Sequence, residues 1–419
     1  MNTMFPRQRY LSNLIEHRHN GMIKTITGAR RCGKSFLLFT IFPKWLIENG
    51  ISKDHIITIE LDDRRHKRLR DPDVCLEYIL KQVKDDRMYY LLIDEVQMMI
   101  EFEDVLNSCL HIPNLDVFVT GSNSKFLSSD IITEFRGRGD EIRIYPLSFS
   151  EYAEAFPEKS WERLWSEYST YGGLPRAVLY TSEKDKKQYL KTLWRKTYIR
   201  DIVERYKIQN TAELDQLISI LASSIGSLTN PRKLANTFLS NGSKLSEVTI
   251  NQYVEYLEDA FIIEKSERYD VKGKHYISTP YKFYFVDLGL RNIKINMRQY
   301  EETHIMENVI FSELIRRGYS VDVGVVEIRQ KSEKGDYIRV QTEVDFVVNR
   351  DSERYYIQSA FALPTKEKQE QEERPLRHID DSFKKIIIVK EDIILRRNEY
   401  GIVTMGLREF LTNENSLNL

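Results

Sequence analysis

Between residues 22 and 150 the chain alternates short apolar runs with longer stretches of helical spacing. The runs Ile23–Thr27, 55–61, 89–93, 116–120 and 141–145 are apolar almost continuously, without the alternation expected of a sheet that faces water on one side. Such runs, each followed by a helix-like stretch, predict a doubly wound α/β module whose parallel sheet is covered on both faces. From about 151 to 300 helical periodicity takes over, clearest in SWERLWSEYSTYGG, KQYLKTLWRKTYIRDIVERY and ELDQLISILASSIGS and punctuated by Gly172, Gly173, Pro175 and Pro231. Residues 250–260 then predict a helix capped by Thr249, followed over 261–286 by a hairpin that turns at Lys272-Gly273-Lys274. A helix followed by a hairpin is the outline of a winged helix-turn-helix. After 300 the pattern is mixed, with a helix over 303–317, strands near 319–329, 337–349 and 355–359, and an apolar run at 386–389. That is an α+β unit. The stretch 366–377, KEKQEQEERPLR, carries both signs of charge and reads as a solvated helix face. The boundaries expected are 1–150, 151–225, 226–299 and 300–419.

A chain of 419 residues has room for several domains, and 41% hydrophobic with 30% charged residues is the composition of a folded protein. The 62 Lys plus Arg balance 63 Asp plus Glu, so no whole-molecule field attracts nucleic acid and any such contact has to be local. Cys32, Cys75 and Cys109 are too few and scattered for a disulfide framework or a zinc site. With no uncharged apolar run of about 18 residues and no apolar core at the start, the expectation is a cytoplasmic protein without a membrane partner.

The sharpest chemical signal is Gly28-Ala29-Arg30-Arg31-Cys32-Gly33-Lys34-Ser35, a G-x-x-x-x-G-K-[ST] loop set between a strand and the apolar helix that begins at Phe36. Its glycines let backbone N–H groups curl around phosphates, Lys34 supplies the counter-charge and the Ser35 hydroxyl suits Mg²⁺. The expected cofactors are therefore ATP and Mg²⁺. Cys32 reads either as a small filler or as a reactive thiol. The strand at 89–93 runs into Asp94 and Glu95. Asp94 is placed to hold Mg²⁺, and Glu95 either activates the attacking water or caps the following helix. After the next strand, Asn123 and Ser122 are candidates to contact the γ-phosphate.

These residues resemble the AAA+ superfamily of P-loop ATPases, and in particular a prokaryotic group in which the ATPase precedes a domain of unknown function with a restriction-endonuclease-like fold. GARRCGKS, LLIDEVQ, TGSNSKFL, FRGRGDEIRIYPLSFSEY and GGLPRA carry the resemblance, which extends over nearly the whole chain. It implies a P-loop ATPase domain, then a helical lid and winged helix, then an α+β restriction-endonuclease-like domain. It also implies an arginine that enters a neighbouring copy's nucleotide site, for which Arg136 and Arg138 are the candidates, and a lid arginine, Arg176, that senses the γ-phosphate in its own chain. The bland alternative leaves Arg136 and Arg138 in a solvated or internally paired loop.

In the hairpin, Lys265, Arg268, Lys272, Lys274 and His275 form a local positive patch, opposed by Glu255, Glu258, Asp259 and Glu267. The C-terminal unit resembles the PD-(D/E)xK nucleases, with Glu307 and Glu313 on a helix and Glu343 and Asp345 on a strand. Gln358 and Ala360, however, stand where that pattern has a second carboxylate and a lysine, which implies a catalytically degenerate domain. The leading expectation is an ATP-hydrolysing conformational switch coupled to DNA, a protein partner or a second copy of the chain. The alternatives are an ATP-gated Mg²⁺-dependent DNA nuclease and a non-hydrolysing DNA-binding regulator.

Overall fold

Every position of β1 (Ile23–Thr27), β3 (Tyr89–Asp94) and β4 (Leu115–Thr120) is buried, which is why these segments read as runs with few polar interruptions. With β2 (Ile56–Glu60) and β5 (Gly139–Arg143) they form one parallel sheet in the order β2-β3-β4-β1-β5. The structure is a computed structural model that describes residues 5–121, 137–298, 301–331 and 336–419. The chain divides into two units; this sheet belongs to the first, which comprises Met1–Pro146, Leu174–Leu179 and Asp259–Phe261. The chain leaves β1 toward β2 on one side and leaves the neighbouring β4 toward β5 on the other, so the C-terminal ends of β1 and β4 flank a switch point, the place where open parallel sheets bind ligands.

One face of the sheet packs Ile57, Ile59, Leu91, Ile93, Val117 and Val119 against Cys75 and Ile79 of the helix Pro72–Gln82 and Leu106 and Cys109 of the helix Phe102–Cys109. The polar interruptions in β1 and β4 neutralise each other. Lys24 is fully buried, donates to Asp116 and to the Met22 carbonyl at 2.7 Å, and lies over the Phe118 ring. Several strand ends differ from the sequence reading by one or two residues. His55 belongs to a 3₁₀ turn, Lys53–His55, and β5 starts at Gly139 rather than 141 because Ile23 at the head of β1 offers it a partner there, whatever the polarity of the side chains.

The second unit comprises Leu147–Gly173, Tyr180–Glu258 and Ile262–Leu419. Its helical part starts with Phe149–Ala155, where Ser148 and Glu151 form a capping box, and continues with Trp161–Tyr171, Glu183–Leu193, Thr211–Ser223, Pro231–Ser240 and Glu247–Asp259. The last of these begins earlier than expected, because Ser246 rather than Thr249 takes the capping role and its hydroxyl accepts the Thr249 N–H at 3.1 Å. Tyr253 and Leu257 face the core while Asn251, Gln252 and Glu255 are exposed, as the spacing predicts.

The expected hairpin forms from β6 (Ile263–Asp270) and β7 (His275–Phe285). It does not stand alone. Arg268, Tyr269 and Asp270 pair in parallel with Val323, Gly324 and Val325 of β8 (Ser320–Lys331). A mixed eight-stranded sheet results, in the order β12-β13-β11-β10-β9-β8-β6-β7, completed by β9 (Tyr337–Arg350), β10 (Glu353–Ala360), β11 (Lys384–Val389), β12 (Arg396–Arg397) and β13 (Val403–Gly406). The line drawn at residue 300 thus runs through a single sheet, because periodicity marks strands but not the neighbours that satisfy their free edges. The helix Glu302–Arg316 packs on this sheet. In the helix Lys366–Arg377, read as solvated, Glu373, Pro375 and Leu376 are buried. Among the described residues no helix is long and apolar enough to cross a membrane.

Candidate functional site

The chain leaves β1 through Gly28, whose φ of +132° and close approach to β5 admit no side chain, since a Cβ there would overlap the Ile144 carbonyl. Cys32 is fully buried and donates through Sγ to the same carbonyl at 3.4 Å, so it fills the loop and is not a partly exposed thiol. Lys34 is 5% exposed and folds its Nζ over the loop, 2.9 Å from the Gly28 carbonyl and 3.2 Å from that of Ala29. Ser35 and Phe36 are exposed at the start of the following helix, Arg31 is exposed and Arg30 is half-buried.

The strand-end acids lie beside this loop. The Ser35 hydroxyl donates to Asp94 Oδ1 at 3.1 Å, Thr120 Oγ1 at the end of β4 donates to the same oxygen, and Thr120 Oγ1 in turn accepts the Glu95 N–H at 3.0 Å. Burial pushes the Asp94 carboxyl above the usual aspartate range, against the pull of Thr120 and Ser35. Glu95 holds a left-handed φ of +50°, accepts from Gln97 Nε2, and precedes the turn Val96–Met98 without capping it through its side chain. Thr120 escaped the sequence reading, which passed over the strand-end hydroxyl for the residues just beyond it. Asn123, Ser122 and Arg136 lie outside the described residues.

Two arginines are separated by the fold. Arg176 is exposed on the short helix Pro175–Leu179, and Pro175 lies beside the loop, its Cγ 3.9 Å from where a Cβ on Gly33 would stand. Arg138 is exposed at the opposite end of the sheet, where its carbonyl accepts the Ile23 N–H at 2.9 Å. The length of β1, about 16 Å at roughly 3.3 Å per residue, lies between Arg138 and its own chain's loop. The structure does not bring it to the site. Ser35 and Asp94 together offer a hydroxyl and a carboxylate, hard oxygen donors that suit Mg²⁺, and the loop amides with Lys34 suit the phosphates.

In the second unit, a second polar cluster collects some of the residues singled out in the C-terminal region. Lys282 of β7 is buried with its Nζ 2.8 Å from Glu307, 2.7 Å from Glu343 and 3.8 Å from Asp345, and Tyr284 donates to Glu307 at 2.7 Å. Burial works against the ammonium, but the three carboxylates outweigh it and hold Lys282 protonated beyond the usual lysine range. Glu307 is held below the usual glutamate range by that charge despite its burial, whereas burial and the Glu307 charge raise Asp345. Glu313 is elsewhere, paired with Arg317 at 2.8 Å. Gln358 spans the Asp345 N–H and Glu372, and Ala360 sits in an apolar core with Val344, Tyr356 and Leu376. The sequence reading missed Lys282, whose signal was a lone cation in the apolar run Tyr281–Phe285. Among the described residues no group of three or more His, Cys, Asp or Glu side chains has the geometry to hold a metal ion.

A family model described as an AAA domain matches residues 20–153, and another, described as a domain of unknown function, matches residues 162–301. The chain is 35% identical over 390 residues to an uncharacterized protein of Haemophilus influenzae, covering 92% of this chain and 93% of the relative. It is 29% identical over 330 residues to an uncharacterized protein of Methanocaldococcus jannaschii, covering 75% and 71%. Among solved structures, a Walker-type ATPase of Pyrococcus abyssi aligns with a TM-score of 0.48 at 16% identity, over 70% of this chain and 96% of that one. The chain therefore belongs to one family with the Haemophilus influenzae protein, and its residues 20–153 match an AAA domain.

Proposed function

We propose that the chain hydrolyses ATP to ADP and phosphate as a conformational switch. In this reading Lys34 exchanges the loop carbonyls for the outer phosphates, and Ser35 and Asp94 hold Mg²⁺, which when bound draws charge off the phosphate oxygens. Glu95 orients the attacking water and takes its proton. Arg176, carried beside the loop, senses the γ-phosphate within the chain, and Asn123 is the strand-end candidate for the same contact. Arg138 serves a neighbouring copy, a role supported by its position at the far end of the sheet from its own loop. The observation that carries the reading is the junction of Ser35, Asp94 and Thr120, which ties the phosphate loop to the strand-end acids through one carboxylate. Glu95→Gln tests it: ATP stays bound while phosphate release falls about 100-fold or more, as expected on removal of a general base. Release at the wild-type rate defeats the assignment.

The helices Thr211–Ser223, Pro231–Ser240 and Glu247–Asp259 with the β6–β7 hairpin are read as a winged helix that passes the switch to a partner. A two-way backbone bridge between Thr229 and Tyr281, at 2.8 and 2.9 Å, ties the first inter-helix connection to the hairpin and supports this reading. Lys265 pairs with Glu267 at 2.7 Å and the helix face exposes Glu255, so the local charge favours a protein partner over DNA. Salt-sensitive binding of duplex DNA would reverse that preference.

The alternative, an ATP-gated nuclease, draws support from Lys282, which brings to Glu307, Glu343 and Asp345 the ammonium that β10 lacks at Ala360. That ammonium is already engaged by the carboxylates, and the favoured reading is a charge-balanced cluster in a domain kept for binding or regulation. Mg²⁺-dependent plasmid cleavage that disappears in Asp345→Ala, with and without ATP, decides for the nuclease.

A further inference from the structure

Ile144, Tyr145 and Pro146 leave the end of β5 along the back of the phosphate loop, and every group that holds them in the contacts below lies in the first unit. The Ile144 N–H donates to the carbonyl of Thr27, the residue before Gly28, at 2.8 Å. The Ile144 carbonyl is the group that excludes a side chain at Gly28 and accepts from Cys32. That carbonyl shares one peptide group with the N–H of Tyr145, which donates to the hydroxyl of Tyr10 at 3.2 Å. The peptide is trans and therefore planar, with its C=O and N–H pointing opposite ways. The loop rests on one edge of this plane, and Tyr10 holds the other.

The next peptide group, between Tyr145 and Pro146, has no N–H to donate, and its carbonyl accepts from the Arg7 guanidinium. Arg7 is 3% exposed, and its Cζ lies 4.5 Å from the centre of the buried Tyr10 ring. It takes a left-handed φ of +50° immediately before the helix Gln8–Glu16, a conformation uncommon outside glycine, and its carbonyl accepts the Leu11 N–H at 3.0 Å. Two side chains from the first turn of one helix thus grip two consecutive peptide groups behind the loop.

We propose that Tyr10 and Arg7 are positioning residues for the phosphate loop: they set the plane of the Ile144–Tyr145 peptide and, through its carbonyl, the depth at which Gly28 and Cys32 lie. The loop is then held in its phosphate-receiving shape before nucleotide arrives, which spares the binding step the cost of ordering it. This rests on the reading of residues 28–35 as the nucleotide loop.

The test uses the full chain and two measurements: ADP affinity by calorimetry, and the rate of iodoacetamide alkylation at each cysteine by peptide mass spectrometry. Cys32, Cys75 and Cys109 are all buried free thiols of the first unit, so opening of the whole unit exposes the three together, whereas a shift of the wall behind the loop exposes Cys32 alone. Tyr10→Phe keeps the ring and deletes the acceptor. It is expected to weaken ADP binding about tenfold and to speed Cys32 alkylation about tenfold, the size of one lost hydrogen bond, with Cys75 and Cys109 at wild-type rates. Wild type in dilute urea is the comparison; it lowers stability without removing the Tyr10 hydroxyl and is expected to speed all three thiols together. Both changes are required of Tyr10→Phe. Weakened ADP binding with Cys32 still slow, or a fast Cys32 with wild-type affinity, overturns the proposal, as does a parallel rise at all three thiols. Should Tyr10→Phe fail to fold, Arg7→Gln, which withdraws the guanidinium from the Tyr145 carbonyl, is read in the same way. If the wild type itself binds no ADP, the nucleotide assignment of the loop fails and the proposal falls with it, an outcome the wild type alone identifies.

Discussion

At the scale of single residues, the loop lysine and the threonine at the end of β4 have separable duties. Lys34 Nζ is held over the Gly28 and Ala29 carbonyls, within the fold of its own loop. Lys34→Ala removes the main counter-charge, and at about 1.5–3 kcal/mol per charge-assisted contact the ATP affinity is expected to fall about 100-fold by calorimetry. Unchanged affinity would remove the loop assignment. Thr120→Val keeps the shape but deletes the donor to Asp94 and the acceptor for the Glu95 N–H, so turnover is expected to drop about tenfold with affinity nearly constant, and stability by about 1–3 kcal/mol in urea. The phosphate loop was legible in the sequence because its chemistry lies within eight consecutive residues. Thr120 was not, because a strand-end hydroxyl acquires its meaning from the neighbouring strand, and β3 and β4 are adjacent only once the sheet forms.

At the scale of elements, two charge clusters fix how helices and strands meet within the second unit. Glu167 on the helix Trp161–Tyr171 accepts from Tyr152 at 2.7 Å and pairs with Lys159 at 2.8 Å, Arg163 at 3.0 Å and Lys186 at 3.3 Å. Burial raises its pKa, but these donors outweigh burial and pull it from 4.5 down to about 2. A depressed carboxyl stabilises the fold above its unfolded value and loses that contribution as the pH falls from about 4.5 to about 2. Glu167→Gln is therefore expected to cost about 1–2 kcal/mol at pH 7, after allowance for solvent screening, and progressively less in melts below pH 4. A pH-independent cost would mean that packing, and not charge, explains the site. Lys282 is the converse case: Lys282→Met strands the buried Glu307 without its cation and is expected to cost about 3–5 kcal/mol at neutral pH by denaturant titration, with the loss shrinking in acid. Stability equal to the wild type would show that the carboxylates are protonated in the fold.

At the scale of the whole molecule, the distance between Arg138 and its own chain's loop makes its contribution a question of assembly. If it acts on a neighbouring copy, Arg138→Ala lowers hydrolysis by up to about 10³-fold without lowering ATP affinity, and wild-type specific activity rises with protein concentration. Activity that stays flat across a wide range, in a protein that remains monomeric with ATP by sedimentation, excludes the role.

What the sequence by itself determined was local: the phosphate loop with its flanking strand and helix, the acids that end β3, the parallel α/β character of the first module, and the presence of the later strands. Each depends on spacing along the chain, and hydrophobic period and backbone need are properties of neighbouring residues. Tertiary structure alone decided the rest. It set the order in which the strands lie, joined the β6–β7 hairpin to the C-terminal strands in one sheet, brought Lys282 to three carboxylates from separate elements, sent Glu313 to Arg317 instead, and closed Asp287 on Gly173. The physical reason is the same throughout. A buried charge or an unpaired backbone group must find a partner, and the partner that meets the need is chosen by proximity in the folded core.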